Sequence, residues 1–241
     1  MSINVLINGA KGRMGKIAAV AVEQNSGLKL VAAIGREDDL HHTIKKMAAQ
    51  VVVDFTNAES VFENTKTIIA AGANPVIGSS GLLPEQIKQL QQLAKEKKLG
   101  GIIVPNFCIG AVLMMQFAEQ AAKYFPQAEI IELHHDKKLD APSGTAIKTA
   151  EMIANNRKND RASCNETIKG ARGAVLKDVT LHSVRLKGLL AHQEVLFGNE
   201  GELLTVRHDS FNREAFMPGV CLACKKVVEL NELVYGLENI L

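Results

Sequence analysis

The sequence predicts an α/β fold, with a Rossmann-like doubly wound parallel sheet joined to a smaller α+β domain that carries an open mixed sheet. Three observations carry this. Short apolar runs alternate with helix-periodic stretches over residues 3–104. A glycine-bearing turn, Gly9 to Gly15, links the first run to the first helical stretch. After residue 178, three β-like runs arrive in succession with no helical pattern between them. Strands apolar on both faces and alternating with helices belong to a parallel sheet covered on both sides. Right-handed crossovers then make it doubly wound. Strands arriving in a row instead signal a separate mixed sheet.

The elements follow in order. Ile3–Ile7 reads as a strand ending at Asn8-Gly9. Residues 13–24 read as a helix with Met14, Ile17, Ala18, Ala21 and Val22 on one side. Leu28–Ile34 and Val51–Phe55 are strands, and Val61–Ala71 is a helix. Asn74–Gly78 is a strand. Pro84 opens a helix, as suits a residue without an N–H, and its apolar side is Ile87, Leu90, Leu93 and Ala94. Gly101–Val104 is a fifth strand. The pattern changes after Phe107. Ile109–Tyr124 reads as a helix, Ala128–His134 as a strand, and Gly144–Asn156 as a helix capped by Ser143. Residues 157–178 are polar and glycine-bearing and read as a long loop. Residues 179–187, 192–198 and 203–210 read as strands, and 214–235 as helical. The expected division is residues 1–107 with 214–241 as a dinucleotide-binding domain, and 108–213 as a substrate-binding and oligomerisation domain.

Composition excludes several classes. The 241 residues carry 28 Lys+Arg against 26 Asp+Glu, a net charge of +2. No basic excess calls for nucleic acid or an acidic membrane. No signal peptide is read at the start, and no apolar run approaches the ~20 residues that span a bilayer. Four cysteines do not make a disulfide framework, so a reduced, cytoplasmic compartment is expected. With no Trp and two Tyr, no aromatic stacking platform is expected.

The turn Gly9-Ala10-Lys11-Gly12-Arg13-Met14-Gly15 stands between a strand and a helix. Glycines there allow a tight turn and close approach of backbone to a pyrophosphate. The helix start adds N–H donors and partial positive charge. The spacing is G-x-x-G-x-x-G rather than G-x-G-x-x-G. A plain tight turn would also use glycine, but its place after the first strand favours a nucleotide. The second strand should end at the residue that reads the ribose. An acid there would bind the 2′-OH of NAD. Here Gly35 and Arg36 stand at that place, favouring the 2′-phosphate of NADP, although Glu37, Asp38 and Asp39 follow closely.

The segment Glu132–Ala146 is the most informative. A strand leads to His134 and His135, followed by Lys137, Lys138, a Pro turn, and a helix beginning at Ser143-Gly144-Thr145. Two histidines and two lysines beside a helix N-terminus suit a small dianion. Histidine also suits proton transfer near neutral pH. An exposed charged loop is the plainer alternative. Zinc is not expected, because adjacent histidines on a strand point to opposite faces.

The run E-x-H-H-x-x-K-x-D-A-P-S-G-T-A from Glu132 to Ala146 resembles the signature of 4-hydroxy-tetrahydrodipicolinate (dihydrodipicolinate) reductases. The loop at Gly9–Gly15, Asp54-Phe55-Thr56, Gly78-Ser79-Ser80-Gly81, and Pro105-Asn106-Phe107 with Gly110 are similar to further motifs of that family. So are the segments 169–173, 182–185 and 192–195, and the likeness covers nearly the whole chain. The resemblance implies NADPH and/or NADH as cofactor and a small dicarboxylate substrate in the diaminopimelate/lysine pathway. It implies His134 and Lys138 as proton-handling catalytic residues. His135, Gly144 and Thr145 would hold the substrate. Gly9, Ala10, Lys11, Gly12, Arg13, Met14, Gly78, Ser79, Ser80, Val104, Pro105, Asn106 and Phe107 would line the cofactor beside Arg36. It implies a homotetramer. The chain departs from the family in a shortened 37–50 region, in serines at 79 and 80, and in Gly35.

Two other readings compete. Another two-domain NAD(P)-dependent dehydrogenase of an amino acid or semialdehyde would share the glycine loop but lack the His-His and Pro-Ser-Gly-Thr pairing. A non-catalytic nucleotide-sensing module would need no cluster at 134–138. Cys221-x-x-Cys224 has no second pair, and its spacing on a helix face reads as packing. His41-His42 lies in a charged helical stretch facing solvent.

Overall fold

The computed structural model describes residues 2–156 and 163–241. The chain divides into two compact units, Met1–Ile109 with Arg213–Leu241, and Gly110–Asn212.

In the first unit, β1 (Ile3–Asn8), β2 (Leu28–Ile34), β3 (Val51–Asp54), β4 (Asn74–Ile77) and β5 (Gly101–Ile103) form a parallel sheet. The order is β11-β5-β4-β3-β1-β2, where β11 is Leu233–Tyr235. Strands progress outward in both directions from β1, as in doubly wound sheets. The helices are α1 (Arg13–Glu23), α2 (Leu40–Lys46), α3 (Val61–Ala70), α4 (Pro84–Lys97) and α7 (Met217–Lys226). On one side Leu6, Val52 and Ile77 pack against Ile44, Ile68 and Leu90 of α2, α3 and α4. On the other, α1 and α7 pack against each other and the sheet, burying Ala18, Val22, Val220 and Cys224. Strands covered on both faces explain the continuous apolar run Val51–Val53, all fully buried. Asp39 caps α2 by accepting the His42 N–H at 2.9 Å, and His41 and His42 are exposed. No helix among the described residues is long and apolar enough to cross a membrane.

Two elements differ from the sequence expectation. Residues 233–235, expected as helix, form β11 and pair in parallel with Gly101–Ile103. Helix α7 ends at Lys226, and the Leu-Val-Tyr triplet completes the open edge of β5, so ladder pairing overrides local periodicity. A Cβ at Gly100 would lie 2.0 Å from the Val227 carbonyl, so glycine is required where the segment passes. The second difference lies in the expected loop 157–178. Its residues 157–162 lie outside the described residues, but Ala174–Leu176 form β7, a hairpin with β8 (Val179–Arg185). Lys177 and Asp178 both have positive φ, 49° and 64°. That fits the primed turn favoured in hairpins. Without glycine, the Lys-Asp pair carried no turn signal.

The second unit is a mixed sheet of order β10-β9-β6-β8-β7, where β6 is Gln127–His134, β9 Ala191–Asn199 and β10 Glu202–Ser210. Helices α5 (Ile109–Ala121) and α6 (Gly144–Ala154) supply apolar cover for one face. Ala128, Ile130, Val179, Leu181, Val195 and Phe197 pack there against Ala118, Ala146, Ala150 and Ile153. Side chains alternate along a strand, so Ile131, Leu133 and Leu196 point to the opposite face.

Candidate active site

In the first unit, the candidate residues lie at the C-terminal ends of β1 to β5. Gly9 follows β1 at φ +86°, and its N–H and that of Ala10 both donate to the Ile34 carbonyl, at 3.0 and 2.9 Å. A Cβ on Gly9 would stand 2.5 Å from the Phe55 carbonyl, and one on Gly15 2.3 Å from the Gly9 carbonyl. The turn therefore closes only with glycine. Gly12 is the N-cap of α1 and provides no side-chain cap, so the helix presents its first turn without a capping oxygen in front of it.

A cavity of about 610 Å³ opens here. It is lined by Gly9, Lys11, Gly12, Gly35 and Arg36, and by Asn8, Thr56, Asn57, Ser60 and Asn64. A Cβ at Gly35 would lie 3.2 Å from Lys11 Cδ and Cε, so the missing side chain leaves room for Lys11 to lie beside that strand end. Two acids, Asp38 and Glu59, also line the cavity. Asp38 accepts the Gly35 N–H at 2.8 Å and Asp39 caps α2. Ala10, Arg13 and Met14 sit on the same turn but do not line this cavity.

A smaller cavity of about 200 Å³ is lined by Gly78, Ser79, Ser80, Val104, Pro105 and Tyr235, among others. Asn106 and Phe107 stand outside that lining: the Asn106 side chain accepts the Cys108 N–H at 2.9 Å, and Phe107 is buried edge-on against Phe55 at 5.7 Å. The two rings crowd Gly78, where a Cβ would lie 2.2 Å from Phe55 Cε1. Glycines that no side chain can replace, a cationic pair and hydroxyl-bearing walls fit a dinucleotide, whose phosphates need backbone N–H groups and positive charge.

Beneath both cavities lies a group to which the sequence reading gave no role. Asp54 is fully buried at the end of β3. Its carboxylate accepts from Asn8 Nδ2 at 2.8 Å, Asn64 Nδ2 at 3.0 Å, Ser79 Oγ at 2.6 Å, and both Thr56 N and Thr56 Oγ1 at 3.1 and 2.6 Å. An acid closing an otherwise apolar strand was the available signal, since buried carboxylates require partners.

The second unit carries its own cluster at the end of β6. Glu132 and His134 are two apart and share the inner face of the strand. Glu132 is fully buried, and His134 Nδ1 lies 2.5 Å from its Oε2. Arg185, paired with His134 in the β6–β8 register, reaches back to Glu132 with two nitrogens, at 2.9 and 2.8 Å. The same Oε1 accepts the Ser143 N–H at 3.2 Å. Burial alone would raise the Glu132 carboxyl, but the hydrogen bonds from His134 and Arg185 outweigh it and bring the pKa from 4.5 to about 2. Ser143 caps α6 by accepting the Ala146 N–H at 3.2 Å, and Gly144 and Thr145 form its first turn. A Cβ on Gly144 would meet nothing within 4 Å, so this turn has open space in front of it.

Lys138 donates to both oxygens of Asp140, at 2.8 Å each, and Arg185 donates to the Asp140 carbonyl at 2.6 Å. The Lys138 N–H bonds to the His135 carbonyl, closing the turn after β6. Of the expected cationic cluster, His134 is paired with Glu132 and Lys138 with Asp140. Sequence reasoning took in the two histidines and two lysines but gave Glu132, Asp140 and Arg185 no part in it. The period-2 spacing of Glu132 and His134 was the signal for one of the three. Cys221 and Cys224 are buried in α7, and burial pushes both thiols up, away from reactivity.

Comparison with known proteins identifies the family. The family model described as dihydrodipicolinate reductase, N-terminus, matches residues 3–107, and that for its C-terminus matches residues 110–241. The chain is 52% identical over 242 residues to a 4-hydroxy-tetrahydrodipicolinate reductase of Coxiella burnetii, with all of both chains covered. It is 52% identical over 243 residues to the Legionella pneumophila protein of the same name, again over the whole of both. A solved dipicolinate-bound dihydrodipicolinate reductase from Paenisporosarcina sp. TG-14 superposes at a TM-score of 0.94, with 47% identity and full coverage of both chains. An amine dehydrogenase from Mycobacterium smegmatis, 13% identical at a TM-score of 0.67, shares the fold alone.

Proposed function

The chain belongs to the dihydrodipicolinate reductase family, and from that premise we propose that it reduces 4-hydroxy-tetrahydrodipicolinate to tetrahydrodipicolinate with NAD(P)H, on the route to diaminopimelate and lysine. The observation that carries this reading is the assembly of His134, Glu132, Arg185 and the first turn of α6 at one strand end, in a chain that matches reductases over its full length. The bound cofactor supplies a hydride. The chain's own residues do the rest. Gly144 and Thr145 offer helix N-terminal N–H groups to a substrate carboxylate. His135 adds a polar contact, and Lys138 joins His134 as a proton-handling residue. His134 handles the proton that accompanies the hydride. Gly9, Lys11 and Gly12 hold the cofactor's phosphates, and Arg36 with Lys11 faces a 2′-phosphate. Ser79, Ser80, Val104 and Pro105 receive the nicotinamide half.

The substrate class is a small dicarboxylate, in keeping with the dipicolinate held by the solved relative. The compartment is cytoplasmic, which the four free cysteines favour. The assembly is a homotetramer built on the second sheet. Its outward face carries Ile131, Leu133, Leu196 and the exposed Leu203, an apolar set that a further layer would cover. Sedimentation at about four times 26.1 kDa would agree with it.

The test is a coupled assay. A synthase generates the unstable substrate from pyruvate and aspartate semialdehyde, and oxidation of NADPH and NADH is followed in parallel. Oxidation that depends on the synthase supports the reading. No oxidation, by protein shown to bind both cofactors, contradicts it.

A further inference from the structure

We infer that Glu132 is a positioning residue that fixes the tautomer of His134, so that Nδ1 always carries a proton and Nε2 alone exchanges one. This rests on the reductase reading for its consequence, but its geometric basis is independent of it. The Glu132 carboxylate is surrounded by donors, Ser183 among them. Oε1 accepts from Arg185 Nη2 at 2.8 Å and from the Ser143 N–H at 3.2 Å. Oε2 accepts from Arg185 Nη1 at 2.9 Å and faces His134 Nδ1 at 2.5 Å. A guanidinium and a backbone amide only donate. They hold the carboxylate as an anion, with both oxygens as acceptors. An anionic oxygen facing Nδ1 requires a proton on Nδ1.

The imidazole is then directional. In its neutral form it carries a lone pair on Nε2, and in its protonated form it gives up the Nε2 proton while keeping the one on Nδ1. With the cofactor bound, a hydride and one proton would reduce the substrate, whose 4-hydroxyl leaves as water. That proton leaves His134 from Nε2, and solvent returns one to the same atom. Glu132 takes no proton in this cycle. Its second role is geometric: the Ser143 N–H fixes the residue that caps α6, so one buried carboxylate aligns the imidazole with the helix turn that receives the substrate carboxylate.

Glu132→Gln makes a specific case. The amide oxygen is favoured at the Oε1 position, where two obligate donors converge, against the single one, Arg185 Nη1, at Oε2. The amide NH₂ then takes the Oε2 position, gives up the Arg185 Nη1 bond and donates to His134 Nδ1. That forces the opposite tautomer, with the proton on Nε2. Shape and volume are nearly kept, while the direction of the imidazole is reversed.

Neutron diffraction from perdeuterated crystals of the full chain reads this directly. The wild-type protein should carry a deuteron on His134 Nδ1, and E132Q should carry one on Nε2 and none on Nδ1. In kinetics, E132Q should lose at least tenfold in kcat with KM for NADPH unchanged, because the cofactor residues are untouched. A bare Nδ1 in the wild-type crystal would overturn the inference, whatever the variant does. So would E132Q that folds and keeps wild-type kcat. If the wild-type protein carries the Nδ1 deuteron yet does not reduce the substrate, the tautomer lock stands and the reductase reading falls.

Discussion

The hydroxyl of Ser79 donates to Asp54 Oδ1 across 2.6 Å, joining the loop after β4 to the end of β3. The same oxygen takes Thr56 Oγ1, and the other takes Asn8 and Asn64. One buried carboxylate thus ties the walls of the larger cavity, Asn8, Thr56 and Asn64, to Ser79 in the smaller. Asp54→Ala leaves these donors without their acceptor. An unsatisfied buried polar group costs about 1–3 kcal/mol. Urea unfolding should show a loss of about 3 kcal/mol or more. A loss below about 1 kcal/mol would mean that water replaces the carboxylate at little cost.

The glycine turn gives a sharper case. At Gly9 the backbone is at φ +86° and the Phe55 carbonyl stands 2.5 Å from the place of a Cβ. Gly9→Ala therefore combines backbone strain with a clash against main chain, which cannot move aside cheaply. Cofactor affinity measured by fluorescence titration should fall at least tenfold, with a lower melting temperature. Gly72→Ala is the control. Its φ is +78° but nothing lies within 4 Å of a Cβ there, so it should share the strain and keep the affinity.

Arg36 and Lys11 line the same cavity, and Asp38 is tied to the Gly35 N–H. Two positive charges line this cavity, and the Asp38 carboxylate on the same wall is bonded to backbone. Arg36→Ala should raise KM for NADPH about tenfold, equivalent to about 1.4 kcal/mol, and leave KM for NADH within about twofold. Equal weakening with both cofactors would remove Arg36 from recognition of the 2′-phosphate.

Acid should unfold the protein in a defined window. Glu132 has its pKa lowered from 4.5 to about 2 in the folded chain. A carboxyl depressed on folding stabilises the native state above its unfolded pKa, and that contribution disappears as pH falls through the folded value. Asp140, lowered chiefly by its hydrogen bond from Lys138, has the same sign. The urea midpoint should drop steadily between pH 4.5 and 2, and E132Q should show a shallower drop. A midpoint flat across that window would contradict the pairing of Glu132 with Arg185 and His134.

Much of the frame was legible because strands buried on both faces are written as unbroken apolar runs, as in Val51–Val53, and because glycine marks turns that no other residue closes. What escaped the sequence depends on distant partners. Leu233–Tyr235 is a strand only because β5 has a free edge beside it. Ala174–Leu176 is a strand only because Lys177 and Asp178 adopt positive φ without glycine to announce it. At the site, His134, Lys138 and the α6 start stood out as local composition. Arg185 did not, since its partner Glu132 is 53 residues away. Pairings of that separation are set by sheet register, which one strand's sequence does not contain.

The reduction proposed for this chain is hydride transfer from the nicotinamide to the dicarboxylate. The most direct test supplies NADPH deuterated at its transferable C4 position to the synthase-coupled reaction and follows the product by mass spectrometry. Tetrahydrodipicolinate should carry the deuterium and form in step with NADPH oxidation. Cofactor oxidation that leaves the product unlabelled, or a product that does not form, would contradict it.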